Sequence, residues 1–577
     1  MLPRLRLALW QNSSLRSVQR ISQRFPGPIA GRLLVAALTI VCLSPVRLPA
    51  QPAPSPSPSP GLAYPSPPPS APPASPSPAS TGAPSPGGPA PTPPPIVVQP
   101  PNATVAIGSP IRLTVGSVIG QITAVARDPA IVDVAVDQGS QTVTLSGKTP
   151  GNTVVTITDA RGLSASVPVR VAYYAGSVPQ DLSVSITGDP ASADFVRRVV
   201  AAALVRATQV RPGAQAVVGP DDVPMRDDLA QDDVARFDVP VLVQGNAYYE
   251  VDGRTHVEVR NVAAPRISPG SLMVSDYPER LEENGALFTA DLRSDQPSRF
   301  LYFHYNPTGQ PDRRIVLRAE NHSPAASVVQ FISGIGGPSS NEMQVGHEAT
   351  RAFLINVVQN QGRLISIPPN ASLNIVEQNA PAGSIVCNLL QLRVLSGSNV
   401  HLTLFAQSAD ADPTVPPSDS ELLVGSHLHA RGIYPIPEFH YATQWYVDGD
   451  YLELPIGQIP LPNDLQGQAL AGDYGVLQSF VVTMQNPLST PQNVAIYENP
   501  RGGRATGTYL IDGVLVQSHQ VPPFSRYKIR QYVVPARGFV RVTIVTMPEA
   551  GSSYPLKLIF APDDGSVAPG APGSPVY

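Results

Sequence analysis

IPPNASLNIVEQNAPAGSIV (367–386) and VPPFSRYKIRQYVVPARGFV (521–540) align without a gap. Identities fall at Pro368/Pro522, Pro369/Pro523, Ile375/Ile529, Pro381/Pro535, Ala382/Ala536 and Val386/Val540. Upstream, IVLRAENHSPAASVVQFI (315–332) parallels FVVTMQNPLSTPQNVAIY (480–497), each placing an asparagine before a Ser/Pro turn between two strand-like runs. Downstream, GSNVHLTLFA (397–406) parallels GSSYPLKLIFA (551–561). Matched blocks in one order predict an internal duplication, with copies at 284–408 and 421–563. Val540, Val542 and Ile544, then Leu556, Leu558 and Phe560, supply alternating core faces. Alternation of this kind marks half-buried strands, so each copy reads as a β-sandwich.

Between the copies runs SHLHARGIYPIPEFHYATQWYVDGDYLELP (426–455). Two chemistries are open here. His427 and His429 would share a face on a strand, and with Glu438 and His440 they offer zinc-type ligands, although the spacing matches no metal motif. The aromatics Tyr434, Phe439, Tyr441, Trp445, Tyr446 and Tyr451 either fill the sandwich core or, if exposed, stack on sugar rings or anchor a protein partner. A carbohydrate-binding role requires Trp445 and its neighbours to line one exposed face. No cofactor and no metal ligand set is expected, and these aromatics are the candidate binding residues.

Towards the N-terminus the same period of two returns in residues 96–175, at Ile111/Leu113/Val115, Val132/Val134/Val136 and Val167/Val169/Val171. Turns are signalled at Asp128-Pro129, Thr149-Pro150-Gly151 and Ala160-Arg161-Gly162, giving a small sandwich. VARDPAIVDVAV (125–136) followed by TVTLSGKTPGNTVVTITDARG (142–162) resembles bacterial immunoglobulin-like group 2 modules and, equally, the N-terminal domain of pilus-assembly secretin subunits. The resemblance covers residues 96–175 only. It implies a sandwich in a cell-envelope protein and carries over no catalytic or ligand residue, because the shared positions are turn formers and core valines. No secretin channel region follows.

Residues 180–265 read as a small α+β domain. Asp189 is the expected N-cap, with Pro190 at the first helical position, and Phe195, Val199, Ala202, Ala203 and Arg206 follow at helical spacing. This is the one segment with a persuasive helix. Strands are expected at Leu182–Ile186 and Val239–Val243, and a hairpin over 247–259 turning at Asp252-Gly253. The carboxylates of Asp221, Asp222, Asp227, Asp228, Asp232 and Asp233 match no calcium loop and read as a solvated acidic loop.

The N-terminal 95 residues concern delivery. Residues 1–50 hold seven arginines, no acidic residue and the apolar run LLVAALTIVCL (33–43), which is too short to span a bilayer. Leu48-Pro49-Ala50 supplies a small-residue exit, so 1–50 is expected to be a signal peptide, the alternative being an uncleaved anchor. Residues 51–95 form a Pro/Ser tract that can join neither helix nor ladder and extends as polyproline II. About 45 residues at roughly 3.1 Å each could span more than 100 Å. The tail, 564–577, reads as disordered. Removing seven arginines from 39 basic residues leaves 32 against 43 acidic ones, a net charge of −11. That balance, without a Lys/Arg stripe, excludes nucleic acid as a partner. Cys387 would be the one remaining cysteine and is expected to be a buried packing residue.

The chain carries no G-x-S-x-G elbow, no H-E-x-x-H, no phosphate loop and no dinucleotide fingerprint; His347-Glu348 begins HEATR, which lacks the second histidine. The expected fold is mainly β, with tandem immunoglobulin-like sandwiches and one small α+β domain. The expected function is non-enzymatic and extracytoplasmic, in adhesion, surface structure or appendage assembly, with envelope proteins or surface glycans as partners. Two alternatives stand beside it: a carbohydrate-binding or polysaccharide-acting protein, and a periplasmic component of a pilus or secretion machine.

Overall fold

A computed structural model describes residues 93–417, 421–426, 429–463 and 468–567. The expected signal peptide, nearly all of the tether, His427 and the end of the tail lie outside the described residues. The chain is mainly β, as its alternation requires, and builds a series of β-sandwiches. In the first, Val97–Gln99, Ile111–Gly116, Thr142–Gly147 and Val132–Asp137 form one sheet. Ala103–Ala106, Ser164–Ala172, Gly151–Thr158 and Thr123–Ala126 form the other. Leu113, Val143, Val155, Ile157 and Val167 meet between them.

The two C-terminal copies share one nine-stranded plan. In the first, Ser271–Ser275, Ser298–Asn306, Ser384–Ser396, Ser327–Ser339 and Gly362–Ile367 face Gly285–Leu292, Val400–Ser408, Arg313–Asn321 and Ser372–Ala380. In the second, Glu438–Tyr446, Leu477–Gln485, Phe539–Thr546, Ala505–Ile511 and Val514–Val521 face Leu452–Ile456, Leu556–Pro562, Gln492–Pro500 and Tyr527–Val534. Each first-named pair is parallel, an uncommon feature that both copies keep.

This plan corrects one of the three aligned blocks. Strands 298–306 and 313–321, not 315–332, occupy the places of 477–485 and 492–500. The asparagine turn misleads because it recurs. Asn306 donates through Nδ2 to Pro311 O and Ala380 O at 3.0 and 2.7 Å. Asn486 makes the equivalent bonds, to Thr490 O and Val534 O at 2.9 and 3.1 Å. Asn321 ties a second corner of the first copy in the same manner, to Ala325 O and Ile367 O.

In the second copy, strands 505–511 and 514–521 are joined by a two-residue turn, Asp512-Gly513, both with positive φ, as a tight hairpin demands. In the first copy a helix stands at that point. This helix, Glu342–Val358, is absent from the sequence reading, which assigned one helix only. Here it is α2, and the expected one, Ala193–Ala207, is α1. Asn341 caps α2 by accepting from Gln344 N at 3.2 Å. The cap of α1 is Ser192, which accepts from Phe195 N at 3.3 Å, not Asp189. Ser192 is fixed there because its own N and Oγ donate to Gln361 Oε1 at 2.9 and 2.6 Å. The helix therefore starts three residues later than expected and buries Phe195, Val196, Val199, Val200 and Leu204. The nearby hairpin pairs Val234–Gln244 with Val251–Asn261 and turns at 245–248, where Tyr248 N donates to Gly245 O. Asp252 and Gly253 lie inside the second strand, with Gly253 packed close against Val178. The acidic loop is not one cluster: Asp222, Asp228 and Asp232 accept from the backbone N–H of Gly219, Ala193 and Ala263 respectively.

One ten-stranded sheet continues from the α+β region into the first copy. The joint is the antiparallel pairing of Ile186 with Arg363 and Thr187 with Gly362. Helix α2 lies on this sheet and beneath the second copy, burying Val345, Phe353 and Leu354 with Leu389, Leu477 and Met547. Full burial of each such side chain is worth about 1.5–3 kcal/mol. Cys387 is buried in the same layer, as expected. Several glycines permit the approach, among them Gly334, where a Cβ would stand 2.3 Å from Ala349 O. A Cβ on Gly336 would stand 1.9 Å from Val345 O, and one on Gly346 would stand 1.7 Å from Ala550 O. Among the described residues no helix is long and apolar enough to cross a membrane.

Gly346→Ala is expected to destabilise the chain by at least about 1–3 kcal/mol, because neither helix nor the facing backbone can yield without unpacking the layer. Thermal unfolding measures this. A midpoint equal to the parent's would show that α2 and the 547–552 turn are not in this contact.

Candidate functional site

The aromatic run does not form one face. Strand Glu438–Tyr446 directs Phe439, Tyr441 and Trp445 to one side and Tyr446 to the other. Trp445, 5% exposed, sits in the second core, and its indole N–H donates to Asp450 O at 2.7 Å. Tyr434 is fully buried beside Leu272 and Leu470 and donates to Gln468 O at 2.9 Å. Phe439 is half-buried in that small cluster. Tyr441 is exposed but stacks on Phe480, with ring centroids 5.4 Å apart. Tyr446 and Tyr451 are exposed. The idea of Trp445 leading an exposed platform is therefore corrected: alternation along the strand sends the tryptophan inward. The proposed zinc residues also separate. His429 pairs with Asp276 (3.3 Å) and Glu279 (3.1 Å), while His440 lies 3.4 Å from Glu438. Among the described residues no three His, Cys, Asp or Glu side chains are grouped to hold a metal ion.

Polar chemistry gathers instead around α2. Arg299, fully buried on strand Ser298–Asn306, donates to Pro437 O at 2.7 Å and ion-pairs with Glu438 Oε1 at 2.8 Å. Its guanidinium lies over the Phe353 ring of α2 at 5.6 Å. Both ends of that pair belong to first strands or their neighbours in different copies, so it fixes how the copies meet. Removing one partner of such a buried pair leaves an uncompensated charge, which costs about 3–5 kcal/mol.

A second group surrounds His347. Nδ1 lies 2.9 Å from Glu549 Oε2, and Thr508 Oγ1 donates to Glu549 Oε1 at 2.7 Å. Thr506 also donates to Glu549. The Gln517 side-chain amide is 2.6 Å from Nε2, and the His519 ring stands edge-on at 4.9 Å. Burial works against the imidazolium, but the Glu549 hydrogen bond and charge outweigh it and raise the His347 pKa above its ordinary 6.5. A protonated ring requires Gln517 to present its amide oxygen. Glu498, fully buried nearby and accepting from Ser518 Oγ, is pushed up to about 7 by burial. Hydroxyl and carboxylate both address Nδ1, so this is not a relay with a nucleophile on one ring nitrogen and an acid on the other. The arrangement can store a proton inside the interface; it presents no reactive oxygen to a substrate.

Beside the N-terminus of α2 opens a cavity of about 470 Å³, lined by Val274, Leu301, Phe303, Tyr474, Asp276 and His429 among others. Burial pushes Asp276 up to about 6 despite its bond to His429. Except for His429, Arg299's partner Glu438 and the noted His347, none of these polar residues was singled out from the sequence. Their partners lie about 140–200 positions away along the chain, and no short pattern encodes such pairs.

No protein-family model matches this sequence, and no curated protein is matched by it. Among solved structures, it is similar to domains 5–6 of the S-layer protein SbsC, at 16% identity over 29% of this chain and 97% of that one, with a TM-score of 0.13. It is also similar to the human desmocollin-1 ectodomain, at 10% identity over 31% of this chain and 43% of that one, TM-score 0.12. A third likeness is to Bacteroides ovatus SGBP-B, from a mixed-linkage glucan utilization locus, at 9% identity, 52% and 70% coverage and TM-score 0.12. The chain thus spans less than half of the desmocollin ectodomain. At these scores the likenesses carry no argument about what this chain does.

The His347 group gives the chain a pH signature. A histidine whose folded pKa is raised stabilises fully below its unfolded pKa, near 6.5, and loses that contribution as pH climbs through the folded value. Glu498, raised to about 7, acts in the same direction between about 4.5 and 7. His304, pushed down to about 4 by burial, changes stability only below 6.5 and offsets nothing above it. The thermal midpoint should therefore fall as pH climbs above about 6.5, with His429, raised by Asp276, adding to the fall, and His347→Gln should lessen that slope. A parent profile that is level or rising over this range would refute the buried imidazolium.

Proposed function

We propose that this chain is an exported, non-enzymatic cell-envelope protein whose tandem sandwiches serve adhesion or surface structure. The observation that carries the reading is the fusion of the two like sandwiches through α2 and the buried Arg299–Glu438 pair, continued into the α+β region by one sheet. Such a body suits a load-bearing or presenting role, since its modules cannot swing on free linkers. The Pro/Ser tract supports projection from an attachment point. The resemblance of residues 125–162 to envelope modules agrees with this setting, and the polar groups around α2 offer no nucleophile–base pair open to substrate.

A role inside a pilus or secretion machine is a second reading, favoured by that resemblance alone. Fractionation with N-terminal sequencing, and protease shaving of intact cells, separate the two. A mature chain starting at Gln51 and cleaved from outside supports surface exposure. An intact N-terminus in the inner membrane, with the chain sheltered from external protease, would overturn it.

A further inference from the structure

Beside the four-stranded sheet of the second sandwich two aromatic rings stand in the open. Tyr451, just before strand Leu452–Ile456, is 50% exposed, and Phe524, in the turn before Tyr527–Val534, is 70% exposed. Each carries a guanidinium over its ring. The Arg526 Cζ lies 5.0 Å from the Tyr451 centroid, and the Arg501 Cζ lies 5.6 Å from that of Phe524. The two loops are laced together, for Phe524 N donates to Pro500 O at 2.8 Å and the side-chain amide of Asn499 donates to Ser525 O at 2.5 Å. Glu453 pairs with Lys557 beside them. Lys557, then Arg501 and Arg526, hold the Glu453 carboxyl below the usual range, so all three cations share one neighbourhood.

Among the described residues neither Arg501 nor Arg526 has a carboxylate partner, in contrast to Arg236, Arg260, Arg293 and Arg299. Lys557, Arg501 and Arg526 thus surround Glu453, while Asp448 and Asp450 lie in the turn before Tyr451, on a chain whose net charge is −4. A guanidinium stacked on a ring keeps its N–H edge free for a planar anion. The open part of the ring meanwhile offers an apolar face to the C–H side of a sugar. Two adjacent copies of one ring-plus-guanidinium unit suit a partner that repeats, with an anion and a flat apolar face in each repeat.

We propose that this face, formed by Tyr451, Arg501, Phe524 and Arg526, binds an acidic polysaccharide. Sugar rings pack on the aromatics, and carboxylates pair with the two guanidiniums. The inference rests on the surface-protein reading and names what that surface would hold.

The full chain is titrated calorimetrically with a polygalacturonate oligomer and, separately, a neutral β-glucan oligomer, at about 0.15 M salt, where diffuse attraction is screened. The acidic oligomer should bind and the neutral one should not. Tyr451→Ala and Arg526→Gln should each weaken binding about tenfold, while Arg254→Gln, an exposed arginine of the α+β region, should leave it unchanged. Circular dichroism confirms that each variant folds. Absence of binding, equal binding of the neutral oligomer, or parent-like affinity in Tyr451→Ala and Arg526→Gln would each overturn the proposal. So would capture of an acidic peptide in place of the saccharide. Protease shaving remains a separate readout, so a failed titration with a surface-exposed chain removes this ligand class and not the location.

Discussion

Where α2 meets its neighbours, backbone lies directly against backbone. Helix α2 can lie on strand Ser327–Ser339 because Gly334 and Gly336 have no side chains, and it can meet the second copy because Gly346 has none. Between those contacts the helix buries an apolar stripe, and its end reaches the third neighbour, where Gln361 accepts from the Ser192 cap of α1. Gln330 and Asn360 complete that joint with Thr187. Sheets twist and drift relative to one another unless something fixes them. Here one seventeen-residue helix touches both copies, and the residues just after it, Asn360 and Gln361, reach the α+β region. The Arg299–Glu438 pair and the His347 group then add polar contacts whose cost is repaid only in a single arrangement, which is how buried charge can contribute specificity.

Strand patterning was legible because it is local. Half-buried strands must alternate, and Val540, Val542 and Ile544 do so whatever their neighbours are. Two of the three repeat blocks fell on equivalent strands for the same reason, as did the valine pattern of the first module. The asparagine block failed because Asn306, Asn321 and Asn486 solve the same corner chemistry, so a local motif could not say which corner it marks. Helix α2 escaped notice because its apolar residues serve two neighbours, the sheet of the first copy and the second copy, and leave no clean stripe. Its signals, Asn341 as a cap and the glycines of SGIGG (333–337), gain meaning only once a close helix–strand approach is suspected. The Asp252-Gly253 pair was read as a turn by composition, whereas Gly253 is needed for the passage of Val178.

Site residues were less legible than strands. Alternation alone places Trp445 opposite Tyr446, and choosing which side faces water requires knowing the sheet behind it. Tyr451 kept its exposure because it lies in a turn, and its meaning changed once Arg526 was found over its ring. Such a pairing across seventy-five positions, like that of His347 with Glu549, exists only in three dimensions.

The replacement of a two-residue hairpin by α2 has a consequence for assembly. The two copies share a strand plan, but the surface between them is heterologous: the first supplies a helix and the second supplies the socket for it. Heterologous contacts of this type normally propagate, copy upon copy, into filaments. Here the second copy carries only Asp512-Gly513 at the place where the first copy carries α2, so this contact is not repeated from that turn. The second copy thus receives a helix without offering one of its own at the equivalent turn.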